Sequence, residues 1–362
     1  MNHRARLEGL SQALDQQRLD FLLISHLPNV RYLCGFTGSA ALLLVNTTGA
    51  TLFTDGRYIA QANQEVNGPR VVICRKPLLM AVGRWLRTRR KAARSLVVGI
   101  EPEHLTVAAH RQLANLLDGR ARLKQAPALV ERARMIKDAE EIAQLREAVL
   151  LGSSLFDTVL ETVRPGTKET DVAAAMELKA RQSGAEAMSF ETIIASGERS
   201  ALPHGRASRA SIPASGFVVC DFGVILGGYC SDMTRTVYVG RPSKQARGFY
   251  EVVREAQKAA LEAVRPGESL GEVDRAARKT LKTAGLDRYF THSTGHGVGI
   301  EIHEPPRVAA GQDEVLRPGM VITIEPGAYI PGKWGVRIED MVVVTERGFD
   351  VLTPTTKDLI CI

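Results

Sequence analysis

The sequence predicts an α/β domain followed by an α+β domain in which one structural unit is used twice. Three observations predict it. Over residues 3–117, apolar runs of strand length alternate with segments of helical length and period, the pattern of an α/β domain. Further on, VRPGTKETDVAAAMELKARQSG begins at Val163, and VRPGESLGEVDRAARKTLKTAG begins at Val264, 101 residues later. Each copy then leads into a β-rich hairpin that carries two acids. The 362 residues are enough for two domains, each with its own core.

Taken in order, residues 3–17 read as a helix, and Arg18–Ser25 holds the buried strand Phe21-Leu22-Leu23-Ile24. Pro28-Asn29 marks a turn. Ala40–Val45 and Ala50–Phe53 are strands joined through Asn46-Thr47-Thr48-Gly49, and Asp55-Gly56 punctuates the chain before a helix at Tyr58–Glu65. Val71–Cys74 is a strand, residues 78–92 a helix, Leu96–Ile100 a strand and Thr106–Leu117 a helix. This part contains no chemical constellation. Near Gln125-Ala126-Pro127 the chain changes character, which places the domains at 1–127 and 128–362. Lys137–Val163 reads as one long amphipathic helix.

The repeat follows. Val172 aligns with Val273 and Gly184 with Gly285, so both copies read as helix, VRPG turn, second helix and a glycine cap. The offset of 101 grows to 104 between Asp221 and Glu325, and to 107 between Asp232 and Glu339. Two copies facing each other, in pseudo-twofold fashion, bring both acid pairs to a shared centre.

The first hairpin is FVVCDFGVILGGYCSDMTRTVYVG, residues 217–240. A turn at Leu226-Gly227 sets Asp221 directly opposite Asp232, with Cβ atoms about 4.5–5.5 Å apart on one face. In the second, MVITIEPGAYIPGKWGVRIEDMVVV, Glu325 and Glu339 lie equally far from Gly332. Between the hairpins, Thr294-Gly295-His296-Gly297-Val298-Gly299 presents an imidazole in a glycine-rich loop. Like charges opposed on a buried sheet need a positive group between them. Four carboxylates and one imidazole make a donor set for two divalent cations, suited to Mn, Fe, Co or Zn rather than to a thiolate zinc site.

Composition narrows the classes. Hydrophobic residues make up 44% and charged residues 24%, as in ordinary soluble globular proteins. Charges run through the first twenty residues and the longest clean apolar run is Ala40–Val45, so neither a secretory signal nor a membrane span is expected, and the expected location is cytoplasmic. The five cysteines, Cys34, Cys74, Cys220, Cys230 and Cys361, include no CxxC pair, which argues against a disulfide framework. The net charge is +7, and the basic run Arg84–Lys91 reads as a solvated helix face, with Trp85, Leu86, Ala92 and Ala93 turned inward. No nucleic-acid motif accompanies it.

Asp221, Asp232, His296, Glu325 and Glu339, in this order and glycine context, resemble the dinuclear ligand set of the pita-bread metallopeptidases, the family of methionine aminopeptidase, aminopeptidase P and prolidase. Residues 190–362 carry that resemblance. PNVRYLCGFTGS from Pro28 and FTDGRY from Phe53 resemble the creatinase-like N-terminal domain of the Xaa-Pro branch, which plain methionine aminopeptidases lack.

The resemblance implies a pita-bread catalytic domain after a smaller α/β domain, and two divalent ions, Mn first, with Co or Zn as alternatives. It implies that Asp221 holds one metal, that His296 and Glu325 hold the other, and that Asp232 and Glu339 bridge them. A metal-bridged hydroxide would then attack the scissile bond, with Glu325 accepting its proton. His204, in Ala201-Leu202-Pro203-His204-Gly205, and His303, in Ile302-His303-Glu304-Pro305, match substrate-side histidines with a catalytic role. His292 and Arg337 match further substrate-binding residues. Read from the residues alone, each histidine is a hydrogen-bonded core or surface group, and Arg337 pairs with Asp340 or Glu339.

The implied activity is removal of the N-terminal residue from short peptides with proline in second position. An Xaa-Pro bond has no N–H and a fixed φ, so it calls for a dedicated slot. The alternative is an Xaa-Pro dipeptidase. A non-catalytic pita-bread binding module and creatinase-like C–N hydrolysis without metal are disfavoured by the complete ligand set. The resemblance also implies a homodimer, because such N-terminal domains lean over a neighbouring active site.

Overall fold

The computed structural model describes residues 1–89 and 95–362, in two compact units, Met1–Arg134 and Met135–Ile362.

The first unit is built on a six-stranded mixed sheet. Its order is Arg70–Cys74, Gly49–Asp55, Ala41–Asn46, Phe21–Ile24, Leu96–Ile100, Ala121–Gln125. Phe21–Ile24 is buried at all four positions, which is why its sequence is continuously apolar rather than alternating. It pairs antiparallel with Ala41–Asn46 and parallel with Leu96–Ile100.

Two expectations for this unit change, and one strand comes without a sequence signal. Pro28-Asn29 is not a turn but the start of the helix Leu27–Cys34. Proline is tolerated in a first helical turn, where its missing N–H has no partner to lose, and Gly35 in the left-handed region ends the helix. The strand Ala121–Gln125 carries no apolar signal because it is a sheet edge with partly exposed, charged positions. The helix expected over 78–92 runs from Leu78 to Arg87, with Leu86 buried and Trp85 edge-on to Phe21 and Phe53. Arg90, Lys91, Ala92 and Ala93 lie outside the described residues.

In the second unit the long helix expected over Lys137–Val163 is two helices, Ala139–Ser154 and Phe156–Thr162. The break falls at Leu155, after Gly152-Ser153-Ser154, a run of weak helix formers. Asp138 and Glu141 form a capping box at the start of the first.

The repeat is visible in the backbone. One copy pairs Phe156–Thr162 with Glu169–Gln182, and the other pairs Lys244–Glu262 with Leu270–Thr283. In the VRPG turns Gly166 and Gly267 have φ of +86° and +83°. The Gly166 amide donates to the Ile212 carbonyl and the Gly267 amide to that of Leu316, each at 2.9 Å. The first copy packs Val172 and Met176 against Val218 and Val237 of a three-stranded sheet. The second packs Val273 and Leu281 against Ile322 and Val342 of a five-stranded sheet. The two halves meet where the Glu339 amide donates to the Thr234 carbonyl at 3.1 Å.

The hairpin registers decide where the acids stand. In the first, Asp221 pairs with Thr234, not with Asp232. The turn is Gly227-Gly228, with φ of +56° and +76°, and Leu226 pairs with Tyr229. A two-residue turn of this type needs positive φ at both central positions, which two glycines adopt freely and leucine does not. The change of partner is even, so Asp221 and Asp232 keep one face as diagonal neighbours. In the second hairpin Ile330 pairs with Trp334, Gly327 with Arg337 and Ile324 with Asp340, so Glu325 and Glu339 stand at matching depth as expected.

Candidate metal centre and active site

The five expected ligands sit on or beside strand ends in the second unit. Asp221 is in Gly216–Phe222 and Asp232 immediately precedes Met233–Val239. Glu325 immediately follows Val321–Ile324, Glu339 precedes Asp340–Val344, and His296 is in Gly295–Gly297. Paired backbones therefore fix all five. They line one cleft of about 990 Å³ together with His204, His292, His303 and Arg337. All nine residues singled out in the sequence thus share one cavity.

Ligand atoms of Asp232, His296 and Glu339 lie within 4.8 Å of one another. His296 Nε2 is 3.6 Å from Asp232 Oδ2 and 3.4 Å from Glu325 Oε1. Its Nδ1 is 3.0 Å from the Gly297 carbonyl, which can only accept, so the proton sits on Nδ1 and the Nε2 lone pair faces the acids. Thr234 Oγ1 donates to Glu339 Oε2 at 2.7 Å, and Thr323 Oγ1 to Glu325 Oε1 at 3.2 Å. Arg337 Nη2 donates to Asp221 Oδ2 at 2.6 Å. Asp221 Oδ1 is buried with no hydrogen-bond partner among the described residues.

The electrostatics call for more positive charge than the protein supplies here. Burial, then the neighbouring Glu339, Asp221 and Glu325, hold Asp232 well above the usual carboxylate range. Glu339 is raised in the same way, by burial and then by Glu325 and Asp221. Burial pushes Glu325 up to about 7, against the opposing pull of Arg337. An orphaned carboxylate oxygen, clustered acids and an imidazole lone pair aimed at them fit divalent cations, which prefer hard oxygen donors with a nitrogen.

The other four residues divide into two kinds. His204 and His303 are exposed to the cleft, and the His303 ring stands edge-on to His296 at 4.4 Å. Its surroundings hold His303 below its ordinary value, partial burial being the larger cause and His296 the next. His292 has both nitrogens engaged, Nδ1 with the Ser293 carbonyl at 2.8 Å and Nε2 with the Tyr329 hydroxyl at 2.9 Å. Burial lowers it to about 3, so it is neutral, and Tyr329 is pushed up to about 12, again by burial. Arg337 is buried and donates to Asp221, to Thr234 Oγ1 at 3.0 Å, to Tyr329 at 2.6 Å and to the Pro203 carbonyl at 3.0 Å. It pairs with neither Asp340 nor Glu339. Asp340 is taken by Arg235 and Lys357, each at 2.7 Å.

Sequence reasoning missed Thr234, Thr323, Tyr329 and Arg307. The threonines were legible in principle, since Thr234 and Thr323 are each two positions from an expected ligand and so share its face in a strand. Arg307 lines the cleft on Glu304–Val308, where Pro305 and Arg307 alternate with the buried Glu304, Pro306 and Val308. The cysteines take no part in this set: all five are free, and four are buried.

Residues 143–346 match metallopeptidase family M24, and residues 6–136 match the creatinase/prolidase N-terminal domain. A Xaa-Pro dipeptidase of Pyrococcus furiosus is 38% identical, over 99% of this chain and 100% of its own length. Among solved structures, a Xaa-Pro dipeptidase from Bacillus anthracis has a TM-score of 0.95 at 38% identity, covering 100% of each chain. An X-Pro aminopeptidase from Thermotoga maritima has a TM-score of 0.88 at 32% identity, covering 97% of this chain and 100% of the other. Likeness over the full length and in both units leads to one assignment: the chain belongs to metallopeptidase family M24, with a creatinase/prolidase N-terminal domain ahead of a pita-bread catalytic domain.

Proposed function

We propose that this chain hydrolyses the Xaa-Pro bond at the amino end of short peptides, as a metal-dependent exopeptidase. The observation that carries the reading is the meeting of four carboxylates and the His296 lone pair in a cleft that also exposes His204 and His303. The choice of an Xaa-Pro bond rests on what the relatives' names say they cleave.

Asp221, Asp232, His296, Glu325 and Glu339 would hold two divalent ions, Mn first, with Co or Zn as alternatives. Such ions, when bound, would acidify a water and polarise the scissile carbonyl. The protein's own groups do the rest. Glu325, beside His296 Nε2, takes the proton of the attacking water. His303, neutral at neutral pH, and His204 donate hydrogen bonds to the oxyanion. His292 and Arg337 act through Tyr329 and Asp221, keeping those groups in place rather than touching substrate.

Arg307 supports a dipeptidase. A dipeptide carries its free carboxylate one residue past the scissile bond, and a guanidinium on the cleft wall meets it with paired hydrogen bonds. The cleft volume of about 990 Å³ and the X-Pro aminopeptidase neighbour support the aminopeptidase, which needs room for a longer product. The test is an assay of Mn-reconstituted protein on Xaa-Pro, Xaa-Pro-Yaa and Met-Ala-Ser. Cleavage of the proline peptides alone is expected. Arg307→Ala should raise KM for Xaa-Pro at least about tenfold, matching the roughly 1.5–3 kcal/mol of a hydrogen bond to a charged group, and leave Xaa-Pro-Yaa unchanged. Preference for Met-Ala-Ser would overturn the proposal.

A further inference from the structure

Glu169 is a fully buried carboxylate that belongs to neither the metal set nor the cleft wall. It opens the helix Glu169–Gln182. Its Oε1 accepts from the Ser196 amide at 2.8 Å and the Ser196 hydroxyl at 2.9 Å. Its Oε2 accepts from Arg199 Nε at 3.0 Å, the Ser208 amide at 3.1 Å and the Ser208 hydroxyl at 2.7 Å. The first helical amides bind the same segment, Glu169 N to the Ala210 carbonyl and Thr170 N to that of Ser208.

Ser196 and Ser208 are the two feet of the loop that carries His204. One carboxylate therefore closes the loop at its base. Arg199, held by Glu169, reaches on to the Arg206 carbonyl at 2.8 Å. At the far side the loop is tied by the Gly335 amide to Ser200 Oγ at 2.9 Å and by Arg337 to the Pro203 carbonyl. His204 projects into the cleft from a segment pinned at both ends.

The repeat shows that the turn itself does not need this acid. The position 101 residues on from Glu169 is Leu270, yet the second VRPG turn makes the same amide-to-carbonyl contact as the first. We propose that Glu169 is a positioning residue of the active site, whose carboxylate fixes the loop Gly197–Arg206 so that His204 stands at the substrate. The proposal rests on the reading of His204 as a substrate-side donor.

The test is a double-mutant cycle on metal-loaded protein. A shift of about 1 Å at a reacting group costs on the order of 100-fold, so Glu169→Gln should lower kcat about 100-fold, with KM and metal content near wild type. His204→Ala should lower kcat about 100–1000-fold. Adding Glu169→Gln to His204→Ala should cost less than about threefold more, because a residue that acts through His204 has nothing left to position. Trypsin should also cut at Arg199 or Arg206 faster in Glu169→Gln. Multiplying losses in the double variant, or near-normal kcat in Glu169→Gln beside a crippled His204→Ala, overturn the proposal alone. Near-normal turnover in His204→Ala overturns the reading of His204 and the proposal with it. If Glu169→Gln does not fold, Ser208→Ala removes only one hydroxyl from the clamp and enters the same cycle with the same outcomes.

Discussion

Arg337 Nη2 lies 2.6 Å from Asp221 Oδ2, and the same guanidinium reaches Thr234, Tyr329 and the Pro203 carbonyl. One buried side chain thus ties an expected ligand, the partner of His292 and the His204 loop together. Removing one member of a buried ion pair costs about 3–5 kcal/mol, because the other charge stays behind. Arg337→Met should therefore lower thermal stability clearly and abolish most turnover. Arg337→Lys should not restore it, since the single nitrogen of an ammonium cannot reach the four acceptors that the guanidinium serves from three nitrogens. Calorimetry and kcat check this, and wild-type turnover in Arg337→Lys would show that the branching is dispensable.

Metal binding should stabilise the protein, and more so at high pH. In the metal-free chain, burial raises Glu325 from 4.5 to about 7. The unfolded chain gives up that proton first, so Glu325's contribution to metal-free stability is full below about 4.5 and is lost as pH rises through about 7. A cation removes the penalty of the charged form. The rise in melting temperature on adding Mn should be larger at pH 8 than at pH 5.5. An equal rise at both would mean that Glu325 does not compete for the proton.

Glu325→Gln separates holding a metal from taking a proton. It keeps the size of the side chain and its place beside Thr323, and removes the basic oxygen. Elemental analysis should find about one metal retained, with the fold intact and nearly all peptidase activity gone. On the proposed ligand set, Asp232→Asn should bind metal worse still, because a carboxylate serving both ions would screen them from each other. Hydrolysis by Glu325→Gln within tenfold of wild type would remove Glu325 from the proton-transfer role.

Gly335→Ala should be costly for a steric reason. A Cβ there would stand 2.2 Å from the Ser200 carbonyl oxygen, a backbone atom that cannot swing aside. The strand Trp334–Arg337 would have to part from the His204 loop, at about 1–3 kcal/mol. Gly348→Ala meets nothing within 4 Å and should be nearly neutral. Denaturant unfolding of the two variants checks the contrast, and equal midpoints would show that the close approach carries no stability.

The site was legible because strand parity and repeat spacing survive folding unchanged. An error in the first turn left Asp221 and Asp232 on one face, since the partner moved by an even step. The second hairpin kept its register because a single glycine turn signal stood at its centre. Illegible were contacts made across the two copies. Thr234 and Glu339, or Arg337 and Asp221, are more than a hundred positions apart in sequence, and no local pattern announces them. The helix Leu27–Cys34 was hidden for a different reason, because Pro28 reads the same in a turn and in a first helical turn.

The division of the proposed ligand set between the repeats bears on ancestry. Asp221 and Asp232 belong to the first copy, and His296, Glu325 and Glu339 to the second. A half-length forebear would have carried two acids facing open solvent, and could have assembled a four-carboxylate centre only by pairing with its twin. Fusion of two such genes would have made that encounter permanent and freed each half to drift. The imidazole would then have arisen on one side alone, and the carboxylate at Glu169 has its counterpart in the hydrocarbon of Leu270. An asymmetric enzyme would have descended from a symmetric one.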